Sequence, residues 1–229
     1  MKKLAIVLIV LGVLLAIALA AGWWLDRTAR QLAQAEASKR ILEVLPGTGK
    51  ATVTIDGFPF LFNVLVSGEV ERLHVDLQDV RQAGIEVESI SLVVDRLRID
   101  RDLLLDQQKL AITGIERAEV VGRVTGAAVS KVVGETISFD GSVAHVVAQG
   151  LQLDATLEVS KRTVQVQLSS KDLPPELARQ YLGKPLVFTL PAEQVLPCEP
   201  KLSIVDSRLE LRCGVTELPE AVKRAIGQR

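Results

Sequence analysis

Aromatic side chains are scarce in this sequence. Two Trp, one Tyr and five Phe make up 3% of a 229-residue chain that is 48% hydrophobic, so its apolar content is mostly aliphatic. Net charge is scarce as well. The 27 Lys and Arg stand against 28 Asp and Glu, which leaves no surplus to neutralise phosphates and speaks against a nucleic-acid partner. A chain this apolar and this close to neutral can bury enough surface to offset the entropy of ordering, which excludes disorder. No Ser- or Pro-rich linker and no low-complexity tract divides it, so a single domain beyond the N-terminal segment is the economical expectation.

The motifs of catalysis are missing too. There is no G-x-S-x-G nucleophile elbow and no H-E-x-x-H helix. The stretch PGTGKAT imitates a phosphate loop, but Val44 stands where that loop needs Gly and Ala51 where it needs Ser or Thr. His74 and His145 sit isolated in strand-like segments, and zinc would need further ligands. His74 shares one strand face with Asp76, an ordinary arrangement on a solvated sheet. The expectation is no enzyme, no catalytic residue, no metal and no cofactor.

One long apolar run is present. Residues 4 to 25, LAIVLIVLGVLLAIALAAGWWL, carry no charge and follow Lys2 and Lys3. At 1.5 Å per residue the run can cross a hydrocarbon core of about 30 Å, whereas secretory h-regions span only about 7 to 15 residues. Trp23 and Trp24 suit an interfacial belt, and the two lysines suit a cytoplasmic N-terminus. The expected reading is a single-pass cell-membrane anchor at residues 1–25. The alternative is a signal peptide cleaved after Ala18-Leu19-Ala20, giving a secreted or periplasmic protein. Both send residues 26 to 229 out of the cytoplasm, and that part carries a formal excess of three acids.

The two cysteines fit export. Cys198 and Cys213 flank KLSIVD and RLELR, read as two strands around a turn at Asp206-Ser207, and such a hairpin brings them together. Either a disulfide or two buried thiols satisfies the pattern.

Residues 26 to 49 form the expected juxtamembrane helix. Ala33, Ala37, Ile41, Val44 and Leu45 recur at helical spacing, and Pro46-Gly47 stops it. From Lys50 the period changes to two, the mark of half-buried antiparallel strands. In IEVESISLVVDRLRID the apolar phase slips twice, between Val87 and Ile90 and between Val94 and Leu97; each slip needs a bulge or bend, which curls a sheet. Thr125 is placed to cap a helix over GAAVSKVV, and Pro174-Pro175 and Pro219 are placed to open two more.

The densest signal is Asp56-Gly57-Phe58-Pro59-Phe60-Leu61-Phe62, where three of the five Phe fall within five positions. Gly57 and Pro59 disfavour a central strand, since Pro donates no ladder hydrogen bond. The rings either plug the core or line an apolar groove that admits an acyl chain.

IDGFPFL after a membrane or signal segment, followed by VSGEVERLHVDLQDV, amphipathic strands and a terminal LPCEPKLSIVDSRLELRCGVTELP, resembles the LmeA-like family of bacterial phospholipid-binding envelope proteins over roughly residues 50 to 218. The family's common Thr-Gln after GFPFL is replaced here by Phe62-Asn63. The resemblance implies an extracytoplasmic lipid-binding domain over residues 50–229, with a long curved antiparallel sheet wrapped on a helix in the manner of tubular lipid-binding folds. The expected fold class is therefore α+β and β-rich, with an N-terminal membrane helix. Phe58, Phe60, Leu61, Phe62 and Leu65 are the expected lipid-binding residues. The expected partners are the membrane and the acyl chains of a phospholipid; no protein partner is indicated. The alternative is an envelope adaptor with a filled core that binds protein or glycan.

Overall fold

A computed structural model describes residues 2–82, 85–107, 109, 111–148, 151–160, 163–170, 186–189, 198 and 200–217, with side chains from residue 20 onward apart from Val133 and some strand positions. Helix α1 (Lys2–Val44) runs unbroken for 43 residues, about 65 Å at 1.5 Å per residue. The apolar run and the juxtamembrane segment are thus one rod. It ends where Pro46-Gly47 is met: Leu45 still donates its N–H to Ile41 O, and Thr48 N–H turns back to Leu45 O. Ala33, Ala37, Ile41 and Leu45 pack on the core as expected, but Val44 faces solvent at 74% exposure, because it lies one residue off the stripe that the other four define.

Among the described residues no helix is long and apolar enough to cross a membrane. The expected spanning run begins at residue 4, and its side chains up to residue 19 lie outside the described residues. Those described begin at Ala20 and soon reach Asp26, Arg27 and Arg30.

The strands form two antiparallel sheets where the sequence suggested one. The first has seven strands in the order β1 (Thr48–Asp56), β2 (Glu69–Gln82), β3 (Ile85–Ile99), β5 (Arg117–Thr125), β12 (Arg208–Val215), β11 (Lys201–Val205), with the short β4 (Ile112–Gly114) also on β3. The second runs β10 (Leu186–Thr189), β9 (Thr163–Ser169), β8 (Leu151–Ser160), β7 (Val143–Ala148), β6 (Thr136–Asp140). The architecture is α+β and β-rich, with α1 laid against the edge strand β1. There Ser38 Oγ accepts the outward N–H of Val53 at 3.1 Å, so the helix covers part of an edge that would otherwise invite pairing.

The two phase slips read from β3 are present, and β2 mirrors them. The β2–β3 register runs unbroken except at Asp79 opposite Glu88 and at Glu71 opposite Arg96. At each gap one residue is left-handed, Asp79 with φ 53° and Arg96 with φ 47°. Such a residue reverses which side the following side chains take. Because both strands reverse together, Val70 still opposes Leu97, Leu73 opposes Val94, Val75 opposes Leu92, Leu77 opposes Ile90 and Val80 opposes Val87. One apolar face survives the whole length of the hairpin, and its core is Val53, Ile55, Phe60, Val70, Val75, Leu77 and Val80.

Local signals elsewhere hold. Helix α4 (Gly126–Val133) starts at Thr125, whose side chain accepts the Ala128 N–H. Asp206 and Ser207, with φ 50° and 58°, form the two-residue turn between β11 and β12, the conformation that the twist of a tight hairpin favours. Cys198 and Cys213 lie at disulfide distance, Cα to Cα 5.8 Å, and both are buried. The helices expected after Pro174-Pro175 and Pro219 lie outside the described residues.

Candidate functional site

The GFPF segment leaves the sheet at Asp56, turns, and becomes helical. Gly57 adopts φ 109°, a conformation L side chains avoid, and a Cβ there would lie 2.8 Å from the Glu71 carboxylate. A single short turn, α2 (Phe60–Phe62), runs into a π-helical turn over Asn63–Ser67 that closes at Gly68 with φ 65°. Gly68 O then accepts the Ile99 N–H, which returns the chain to the sheet.

This turn divides the expected lipid-binding residues. Phe60, 9% exposed, belongs to the core, and Leu61 and Val64 pack against it. Phe58 at 63% and Phe62 at 57% exposure point outward, as do Leu65 and Val66. The cluster is therefore both core plug and surface. A contiguous apolar exposure of this kind marks an interaction surface more often than it is accidental. Its neighbours are apolar too. Trp23, Trp24 and Leu25 on α1 are more than half exposed, and Arg101, which opens helix α3 (Arg101–Gln107), donates to Val66 O at 2.9 Å and so brings the exposed Leu105 to the same end.

A buried acid fastens the turn to α1. Asp26, 3% exposed, accepts the Leu61 N–H through Oδ1 at 2.7 Å and an Arg30 N–H through Oδ2 at 2.9 Å. Asp26 is not among the residues that the sequence singles out. Its signal was an Asp and an Arg four residues apart at the end of an apolar run, but the partner that matters, Leu61, is 35 residues away. Between α1 and the turn lies an open groove of about 270 Å³ with Trp23 and Phe58 as aromatic walls and Arg27, Arg30 and Gln34 among its polar groups.

Behind the turn the apolar face continues as rows across the sheet. In register stand Ala51, Leu77, Ile90, Gly122, Leu211 and Leu202, and beside them Val53, Val75, Leu92, Val120 and Cys213. No ring interrupts either row. Towards β1 all but Ala51 are buried; from β3 to β11 most are only half-buried, and no large side chain is completely enclosed among the described residues.

The opposite face is polar. A concavity of about 540 Å³ there is lined by Thr52, Asp76, Ser89, Ser91 and Arg123 among others, a poor surface for an acyl chain. Nearby, hydrogen bonding from Arg212, and less so from Arg123, holds the Glu210 carboxyl below its ordinary range against the opposing effect of burial. Asp95 is lowered in the same way, by Arg72 first and then Arg117. His74 and Asp76 lie in this face on β2, and His145 Nδ1 lies 2.8 Å from Asp154 on the other sheet. Among the described residues no group of three or more His, Cys, Asp or Glu could hold a metal ion.

No curated protein and no solved structure matches the chain. A family does: the LmeA-like phospholipid-binding family matches residues 25–208, a span that opens beside Asp26, takes in the GFPF turn and the aliphatic rows apart from their β12 members Leu211 and Cys213, and closes at the start of β12. By that match over most of its length, the chain belongs to the LmeA-like phospholipid-binding family.

Proposed function

We infer that the protein is a membrane-anchored, extracytoplasmic phospholipid holder that serves envelope lipid handling by partition and not by catalysis. The acyl chains lie along the half-buried aliphatic rows between β3 and β11, where each CH₂ removed from water is worth about 0.8 kcal/mol. Phe60 and Leu61 form the floor of the entrance, and Phe58, Phe62 and Leu65 its rim. The observation that carries this reading is the outward set of Phe58, Phe62, Leu65 and Val66 at the same end of the fold as the exposed Trp23 and Trp24. That end is where α1 leaves the apolar run at residues 4 to 25, so the rim meets the interface in which Trp rings settle. The buried cysteine pair is in keeping with an oxidising compartment.

The test is lipid extraction and native mass spectrometry of the purified full chain, followed by uptake from phospholipid vesicles. Co-purifying phospholipid, or stoichiometric uptake, is expected. Consistent absence of both would leave a filled-core adaptor, for which the polar concavity on the opposite face would be the natural contact surface.

A further inference from the structure

The groove between α1 and the GFPF turn has the chemistry of a site for a phosphate-bearing head. Its bases outnumber its acids. Arg27 is exposed and stacks its guanidinium 5.7 Å from the Trp23 ring centre. Arg30 commits one N–H to Asp26, and its side chain is still 26% exposed, so part of a guanidinium with five N–H donors suited to phosphate stays open to the groove. Asp26, the one acid lining the groove, accepts from Leu61 and Arg30 and at 3% exposure is closed to a bulky ligand cation. Gln31 and Gln34 add two carboxamides, of which Gln34 spends only an N–H, on Ile55 O. Trp23 and Phe58 flank these groups, one from the helix and one from the turn.

Resting on the phospholipid-holding reading, we propose that this groove is the headgroup subsite, and that it takes an anionic head with hydroxyls in preference to a choline-type head. Arg27 and Arg30 receive the phosphate, and Gln31 and Gln34 pair with the hydroxyls. A quaternary ammonium finds no free carboxylate and meets an aromatic face already occupied by Arg27. The subsite stands beside the rim formed by Phe58 and Phe62, so a lipid could keep its phosphate here while its chains pass the rim.

The experiment uses the full chain in detergent micelles, incubated with vesicles of phosphatidylglycerol or of phosphatidylcholine with identical acyl chains; bound lipid is counted by mass spectrometry after re-isolation. The wild type is expected to favour phosphatidylglycerol by roughly tenfold; the phosphate is common to both heads, so the difference comes from the choline cation, which Arg27 repels, and from the glycerol hydroxyls. Arg27→Gln should bring the ratio close to parity and Arg27→Lys should keep most of it. Lys39→Gln, which removes a well-exposed cation three turns further along α1, should leave the ratio unchanged. Equal uptake of both lipids by the wild type, a preference for phosphatidylcholine, or a preference that survives Arg27→Gln overturns the subsite. Inorganic phosphate at millimolar concentration should not abolish the preference; if it does, the groove takes the free anion and the headgroup assignment fails. Uptake of neither lipid is a different failure, since it removes the lipid-holding reading itself.

Discussion

The Asp26 carboxylate on α1 receives the backbone N–H of Leu61 in the GFPF turn at 2.7 Å. With the same carboxylate held by Arg30, one buried acid sets the distance between the helix and the turn. Replacing it leaves a half-buried guanidinium and a backbone N–H without their acceptor. Asp26→Ala is expected to cost about 3 kcal/mol, read as a lowered urea midpoint. Asp26→Asn keeps an acceptor for Leu61 and should lose less. An Asp26→Ala protein as stable as the wild type would show that the clamp does not hold the turn.

Phe58 and Phe60, two residues apart, should respond in opposite ways. Phe60→Ala empties a core position and is expected to cost about 3 to 5 kcal/mol. Phe58→Asp alters an exposed ring and should change stability by no more than about 0.5 kcal/mol, while phospholipid uptake from vesicles falls. Paired unfolding and uptake measurements decide: if Phe58→Asp is as destabilising as Phe60→Ala, the rim is only packing.

The reason these two residues part company could not be read from their spacing. GFPF announced a turn, because Gly57 and Pro59 deny it a regular strand, but which ring faces inward depends on a π-helical turn and on Asp26, 35 residues away from its partner. Features whose causes are local were readable: the stop at Pro46-Gly47, the Thr125 cap, the Asp206-Ser207 turn. The slips in β3 were readable as well, since an apolar phase cannot change without a backbone reversal. That β2 reverses at the same two levels depends on cross-strand pairing, and the division into two sheets depends on partners far apart in the chain. β2 does carry its own three-residue steps, Val70 to Leu73 and Leu77 to Val80, but their alignment with those of β3, like the division into two sheets, lies in no single window of sequence.

The ion pairs of the polar face predict an acid dependence with a definite sign. Glu210 and Asp95 have folded-state pKa values below their ordinary ones, Glu210 chiefly through Arg212 and Asp95 chiefly through Arg72. Folding therefore holds these groups deprotonated where the unfolded chain would bind protons. Their contribution is full above the unfolded carboxylate range, near pH 4, and is lost as pH falls through the lowered values. The urea midpoint should drop between about pH 5 and pH 3, and Glu210→Gln should flatten that drop without removing it, because Asp95 titrates in the same window. An unchanged slope in Glu210→Gln would count against the assignment.

Cys198 and Cys213 offer a test confined to the far edge of the first sheet. A bridge between them closes a loop with a sequence separation of 15, which in the chain-entropy picture stabilises by about 3 kcal/mol. Both cysteines are buried, so alkylation without prior reduction should label neither, even in urea, whereas two buried thiols would be labelled on unfolding. Reduction should lower the urea midpoint, and the Cys198→Ala, Cys213→Ala double variant should match the reduced protein. Because Cys213 stands in the apolar row with Val120 and Leu92, loosening this edge should also weaken phospholipid retention if acyl chains lie along that row. Retention that is indifferent to the bridge would confine the chains to the part of the row nearer α1.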